Sequence, residues 1–282
     1  MITTDFVKGS PNWIDLGAPD VAAAARFYGA VFGWEFDPYV PPEDTGTDTG
    51  TDAATNAAQY GALKQNGKTV GAIGQLTEEG ARSAWTIYFN TPDADATAQE
   101  VRKSGGTVRV DPSDAGDMGR MAHFTDPQGA QFAVWQPGKD QGLDAVDDPG
   151  TLSWTELYTT DAAASKAFYG SVFGWQTEDM ELPGGSGTYS LITPAGLPNE
   201  RMQGGLMELP SEYLALNGGR PYWHPVFATA DCDASVAKVT ANGGTVQMGP
   251  EDAEGVGRLA VCVDPHGADF VLLTPVEPPA AS

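Results

Sequence analysis

The feature that most constrains this chain is a phrase it carries twice, Phe27-Tyr28-Gly29-Ala30-Val31-Phe32-Gly33-Trp34 and Phe168-Tyr169-Gly170-Ser171-Val172-Phe173-Gly174-Trp175. A longer match surrounds it at an offset of 141 residues: Trp13-Ile14-Asp15-Leu16 answers Trp154-Thr155-Glu156-Leu157, and Asp20 answers Asp161. Further on the offset becomes 138, with Trp85 answering Trp223, Gly105-Gly106-Thr107 answering Gly243-Gly244-Thr245, and Asp126-Pro127 answering Asp264-Pro265. The change of offset places one loop of different length between two homologous halves. A repeat this long is no solenoid unit, because each copy is large enough to bury a core. Two domains, 1–138 and 151–282, joined by a linker at 139–150, are therefore expected in the 282 residues.

Within each half the periodicity changes in a fixed order. Residues 11–18 alternate, with Trp13, Asp15 and Gly17 on one face and Ile14, Leu16 and Ala18 on the other, which describes a strand with one apolar side. Asp20 can cap a helix over 21–32, whose apolar stripe is Val21, Ala24, Phe27, Tyr28, Val31 and Phe32 and which Gly33 ends. Trp34 starts a second strand, and further strands are expected near 58–64 and 69–76. A second unit follows: strand 85–90, helix 92–104 closed by Gly105-Gly106, then strands near 107–110, 119–124 and 131–136. Each half is therefore β-α-β-β-β stated twice. Residues 41–57, rich in Thr, Asp and Gly, cannot bury a core and read as a loop, and 137–150 read as a polar linker.

Composition excludes several classes of function. A net charge of −23, from 38 acidic and 15 basic residues, repels phosphate backbones and anionic lipid, which argues against nucleic acid and membrane partners and for cationic ones. No apolar run approaches the roughly 20 residues that span a bilayer. The start, Met1 to Phe6, lacks the form of a secretion signal, so a cytoplasmic location is expected. Cys232 and Cys262 have no counterparts in the first half and read as two buried thiols.

Strand, Pro-Asp or Thr-Asp, a helix bearing Phe-Tyr, then Gly-Trp, and a closing strand after Asp126-Pro127-Gln128-Gly129-Ala130 resemble the vicinal oxygen chelate superfamily of glyoxalases, bleomycin-resistance proteins and extradiol dioxygenases. The resemblance covers nearly the whole chain, twice, and is nearest to a tandem actinobacterial glyoxalase-like branch. It implies an α+β fold: two tandem vicinal-oxygen-chelate domains, each a pair of βαβββ modules curling a mixed sheet around a cleft. It also implies up to four metal ligands on inward strand positions. Matched strand by strand, those positions hold Trp13, Gln75, Thr86 and Ala133 in the first half, and Trp154, Glu208, His224 and Val271 in the second. Tryptophan, alanine and valine donate nothing, and a transition-metal site needs three or four converging donors. No metal is therefore expected; if one is bound, its ligands are Glu208, His224 and Glu156.

The remaining candidates lie on the same faces. Trp13, Trp135 and Trp154 either stack a flat ligand or plug the cleft as core. Asp15 and Glu156, at one repeat position, either anchor a cationic group or act as a general base, or else are strand carboxylates in water. His224 either moves a proton or is an ordinary hydrogen-bonded histidine. Tyr60, Tyr88, Tyr158 and Tyr189 add polar tips, and of these Tyr88 and Tyr158 are taken as ligand-binding. Trp85 and Trp223 face the other way and read as structural. The expected function is small-molecule binding without metal or other cofactor, of a planar or cationic ligand, in a monomer or homodimer, with a resistance role implied by the resemblance. The alternative is a lyase, isomerase or oxygenase that uses Glu156, His224 and Glu208.

Overall fold

The computed structural model describes residues 1–39, 59–76, 82–185 and 187–276. The first half opens with β1 (Pro11–Ala18), α1 (Val21–Phe32), β2 (Glu35–Pro38), β3 (Tyr60–Gln65) and β4 (Lys68–Gln75). It continues with β5 (Ala84–Asn90), α2 (Ala94–Lys103), β6 (Thr107–Asp114), β7 (Gly119–Thr125) and β8 (Gln131–Pro137). The second half repeats the order as β9 (Leu152–Thr159), α3 (Ala162–Phe173), β10 (Gln176–Glu181), β11 (Thr188–Thr193), β12 (Gly204–Glu208), β13 (Tyr222–Ala228), α4 (Cys232–Ala241), β14 (Thr245–Ala253), β15 (Gly257–Val263) and β16 (Asp269–Pro275). These are the expected βαβββ modules; the expected loop at 41–57 lies outside the described residues.

Each half makes one eight-stranded mixed sheet, in the order β2-β3-β4-β1-β5-β8-β7-β6 and β10-β11-β12-β9-β13-β16-β15-β14. The first and fourth strands of a module run parallel, as in β1 with β4 and β9 with β12, and the outer strands are antiparallel. β1 and β9 show the same alternation, with Trp13, Asp15 and Gly17, and likewise Trp154, Glu156 and Tyr158, half-buried between fully buried neighbours.

Packing divides the chain differently from the repeat. One compact unit gathers Met1–Ile14, Thr86–Asp147 and Leu152–Val226; the other gathers Asp15–Trp85, Asp148–Thr151 and Phe227–Ser282. Each unit thus combines one module from each half. The reason is the aromatic stripe of the repeated phrase. In one unit Phe168, Tyr169, Phe173 and Trp175 interlock with Phe132, Phe89 and Trp223. In the other, Phe27, Tyr28, Phe32 and Trp34 meet Phe270, Phe227 and Trp85. Each fully buried ring contributes about 1.5–3 kcal/mol, so these clusters decide which modules pack together. Trp85 and Trp223 are buried as expected, and each indole N–H donates to a tyrosine hydroxyl, Tyr28 at 3.0 Å and Tyr169 at 2.8 Å. The linker is more ordered than its composition suggests: Leu143 and Ala145 are buried, and the Leu143 amide donates to the Asn12 carbonyl at 2.9 Å.

The four α-helices among the described residues start the same way. Asp20, Asp93, Asp161 and Asp231 accept from the amides of Ala23, Ala96, Ala164 and Ala234 at 2.8–2.9 Å. Gly33 and Gly174 end α1 and α3 in the left-handed conformation, at φ 79° and 78°. Asp161→Ala is expected to lower stability by about 1 kcal/mol, and Asp161→Asn to change it little, in urea denaturation.

Candidate functional site

Strand parity decides which side chains leave the helix-packed face. Trp223 on β13 packs against Tyr169 of α3, at 5.4 Å between ring centroids, so its neighbours Tyr222 and His224 turn to the opposite face of the sheet. That face also carries Trp154, Glu156 and Tyr158 from β9. The two strands bring His224 Nε2 to 3.0 Å from Glu156 Oε2. The other carboxylate oxygen, Oε1, accepts from the Tyr189 hydroxyl of β11 at 2.7 Å. The Trp154 indole N–H then donates to the Tyr189 oxygen at 2.9 Å. Tyr158 and Tyr222 enclose the imidazole, with ring centroids 4.6 and 5.5 Å from it, and stand 5.6 Å from each other.

This enclosure sets the ionisation of Glu156. Burial pushes its carboxyl up. The hydrogen bond and charge of His224, with the hydroxyls of Tyr189 and Tyr158, more than offset that and hold it below the usual glutamate range. Burial, then the charge of Glu156, pushes the Tyr189 hydroxyl well above its ordinary range, so Tyr189 remains a donor. The His224 side chain is only 1% exposed, whereas that of Glu156 is 15% exposed. Of the two, Glu156 is the more exposed, and His224 is buried behind it.

The other candidates lie elsewhere. Glu208 does not join the pair: its carboxylate accepts from the Ala162 amide at 2.9 Å and satisfies the first turn of α3. Gln136 does the same for Ala94 on α2, at 2.9 Å. Gln75 donates to the Pro19 carbonyl at 2.8 Å. The fourth strand of a module therefore ties down a helix start, and parity alone does not show that a side chain bends away to do so. In the first half, Asp15 and Trp13 are half-buried on β1. Trp135 donates to the Asp140 carbonyl at 3.0 Å, and its ring covers Gly119, which suits a packing role. Tyr88 is buried, and its hydroxyl stands 3.4 Å from His123 Nε2. Burial, together with the charge of Arg109, lowers the His123 pKa. The place of Tyr222 against Tyr158 and His224 is not visible in the sequence, because alternation shows a face and not its neighbours.

A resident metal does not fit these residues. Glu156 and His224 supply two donors, they are bonded to each other, and the second carboxylate oxygen is taken by Tyr189. Among the described residues no group of three or more His, Cys, Asp or Glu is placed to hold a metal ion. Cys232 and Cys262 are buried thiols in the other unit, and burial, the larger influence in each case, raises their pKa values to about 11 and about 12. No helix among the described residues is long and apolar enough to cross a membrane.

Tandem pairs of βαβββ modules, with a polar cluster on the sheet face turned from the helices, define a class of small-molecule-handling folds. The chain belongs to the Glyoxalase/Bleomycin resistance protein/Dioxygenase superfamily, whose profile matches residues 10–134 and again 151–272. Among its relatives, the Mycobacterium bovis protein CFP32, provisionally named a glyoxylase, is 36% identical over 275 residues, covering 96% of this chain and 97% of its own. The anthracycline biosynthesis protein DnrV of Streptomyces peucetius is 35% identical over 282 residues, covering 95% and 94%. Similar solved structures include the Mn(II)-bound glyoxalase of Novosphingobium aromaticivorans, with TM-score 0.60, 18% identity and coverage of 95% of this chain and 84% of that one. A trihydroxybiphenyl dioxygenase of Sphingomonas wittichii has TM-score 0.61, 14% identity and coverage of 95% and 91%. At such identities these two establish the fold.

Proposed function

We propose that this chain is a metal-independent binding protein for a planar, polycyclic aromatic small molecule, held on the β9–β13 face of the second half. The observation that carries the proposal is a carboxylate kept ionised within an aromatic enclosure, yet still in part reached by solvent. A carboxylate offers about four acceptor positions. His224, Tyr189 and Tyr158 occupy three of them. One is left for a donor on the ligand, a phenol or an ammonium, while Trp154 and Tyr158 present ring surface beside it. Relatives named for anthracycline biosynthesis, matching over nearly their whole length, support a fused-ring aromatic ligand. The acidic surface favours one that also carries positive charge.

A second reading is supported by the same pair. A buried carboxylate oriented by a histidine can take a proton from a carbon acid and return it elsewhere, which would make the chain an isomerase or lyase with Glu156 as base and His224 as its positioning residue. One experiment separates the two. Tryptophan fluorescence is titrated with hydroxyanthraquinones and aminoglycosylated anthraquinones, and each mixture is then checked by chromatography for a new product. Saturable quenching that Glu156→Gln weakens by about tenfold or more, with the compound recovered unchanged, supports binding. An isomeric product formed by the wild type and lost in Glu156→Gln overturns the binder in favour of the enzyme. An absence of quenching with any planar compound removes both.

A further inference from the structure

The two halves share sequence, strand order and an acid at one repeat position, yet the second half builds the tyrosine–carboxylate arrangement in its own manner. The difference traces to a glycine. On the second sheet, Glu156 of β9 lies opposite Gly205 of β12, and Gly205 lies opposite Leu191 of β11. Tyr189 belongs to the next row along, opposite Met207. To reach Glu156 its ring leans diagonally across β12 and lies directly over Gly205. A Cβ built there would overlap the Tyr189 hydroxyl and the ring carbons Cζ and Cε1. Gly205 is absent from the glycines with positive φ, so its backbone would accept alanine; the ring above it would not.

The first half has the opposite arrangement. Asp15 lies opposite Ala72, which occupies the place of Gly205, and Tyr60 lies opposite Gly74, which occupies the place of Met207. Tyr60 rests over the glycine of its own row: a Cβ at Gly74 would meet its ring at 3.0 Å, and Tyr60 is 41% exposed. Where the glycine sits therefore decides over which row the tyrosine folds. In the second half the bulk of Met207 closes the tyrosine's own row while Gly205 opens the diagonal.

We infer that Gly205 is the positioning residue of the site, which it builds by letting Tyr189 fold over it onto Glu156. The ligand part of this inference rests on the function proposed above; the positioning part does not.

The test is a double-mutant cycle with two readouts. The first is the titration of the Glu156 carboxyl in ligand-free protein, followed by carbon NMR of side-chain-labelled glutamate and assigned with Glu156→Gln. Gly205→Ala is expected to raise the Glu156 midpoint by about as much as Tyr189→Phe, because both remove one donor from the ionised form. The second is affinity for an aminoglycosylated anthraquinone, expected to fall about tenfold in each single variant and no further in the double variant. Should Gly205→Ala fail to fold, adding Tyr189→Ala is expected to restore folding by clearing the space; a double variant that still fails to fold overturns the inference. So does a Glu156 midpoint unmoved in Gly205→Ala, or a Gly205→Ala effect undiminished once Tyr189 is removed. If the wild type binds none of the compounds, the proposed function falls while the carboxyl titration still decides the role of Gly205.

Discussion

His224→Ala is expected to cost about 3–5 kcal/mol of stability, as breaking a buried pair from one side does. The imidazole is 1% exposed and the Glu156 side chain 15% exposed, so the carboxylate left behind stays largely out of water. The pH dependence identifies the cause. In the wild type Glu156 is held below its ordinary pKa, so its contribution is present above the unfolded value of about 4.3 and is lost as pH falls through the folded value. Without His224, burial is opposed only by the two tyrosine hydroxyls, and the folded pKa rises above the unfolded one. The contribution of Glu156 then reverses: stability is lost as pH rises through the folded value. Urea denaturation at pH 5 and pH 8 should show the variant losing more at pH 8. A loss below about 1 kcal/mol, equal at both pH values, would mean that Glu156 is solvated and the pair contributes little.

Much of this was legible in the sequence, for definite reasons. The twofold phrase and the alternation of β1 and β9 report side-chain direction, which is local, so the modules, the Asp20 cap and the shared face of Trp154 and Glu156 could be read from spacing, while the inward place of His224 followed from the family resemblance. What spacing does not carry is the identity of the neighbour across strands. Glu208 has the parity of an inward ligand, but its carboxylate is drawn to the helix start at Ala162. Gly205 looks like any strand glycine until the Tyr189 ring is placed over it. The exchange of modules between halves in the compact units was illegible for a similar reason: a repeat shows which segments are alike and is silent on which aromatic stripe packs on which strands.

The same buried phrase yields a second large effect, at a site where neutral and ionised forms rank the other way. Asp126 receives the amides of Gln128, Gly129 and Ala130 at 2.8–2.9 Å on one oxygen and the Tyr169 hydroxyl at 3.1 Å on the other. Burial nevertheless outweighs these donors and lifts its carboxyl above the ordinary range. A folded pKa above the unfolded one means that ionisation opposes folding, so this group favours the native state more as pH falls through its folded value toward the unfolded one. Asp126→Ala strands the Gln128 and Ala130 amides and the Tyr169 hydroxyl, leaves the Gly129 amide only the Asp126 carbonyl at 3.1 Å, and is expected to cost about 3 kcal/mol or more. Asp126→Asn keeps an oxygen for the amides without the charge, and is expected to cost under about 1 kcal/mol while flattening the rise in stability toward acid. The repeat supplies an internal control. Asp264 accepts only the His266 and Ala268 amides at 2.8–2.9 Å and a longer contact of 3.3 Å from Tyr28. Its alanine variant should therefore lose less than that of Asp126. Denaturation of the four variants at pH 5 and 7.5 tests the ranking, and equal losses at the two aspartates would show that the backbone turn, and not the number of donors, sets the cost.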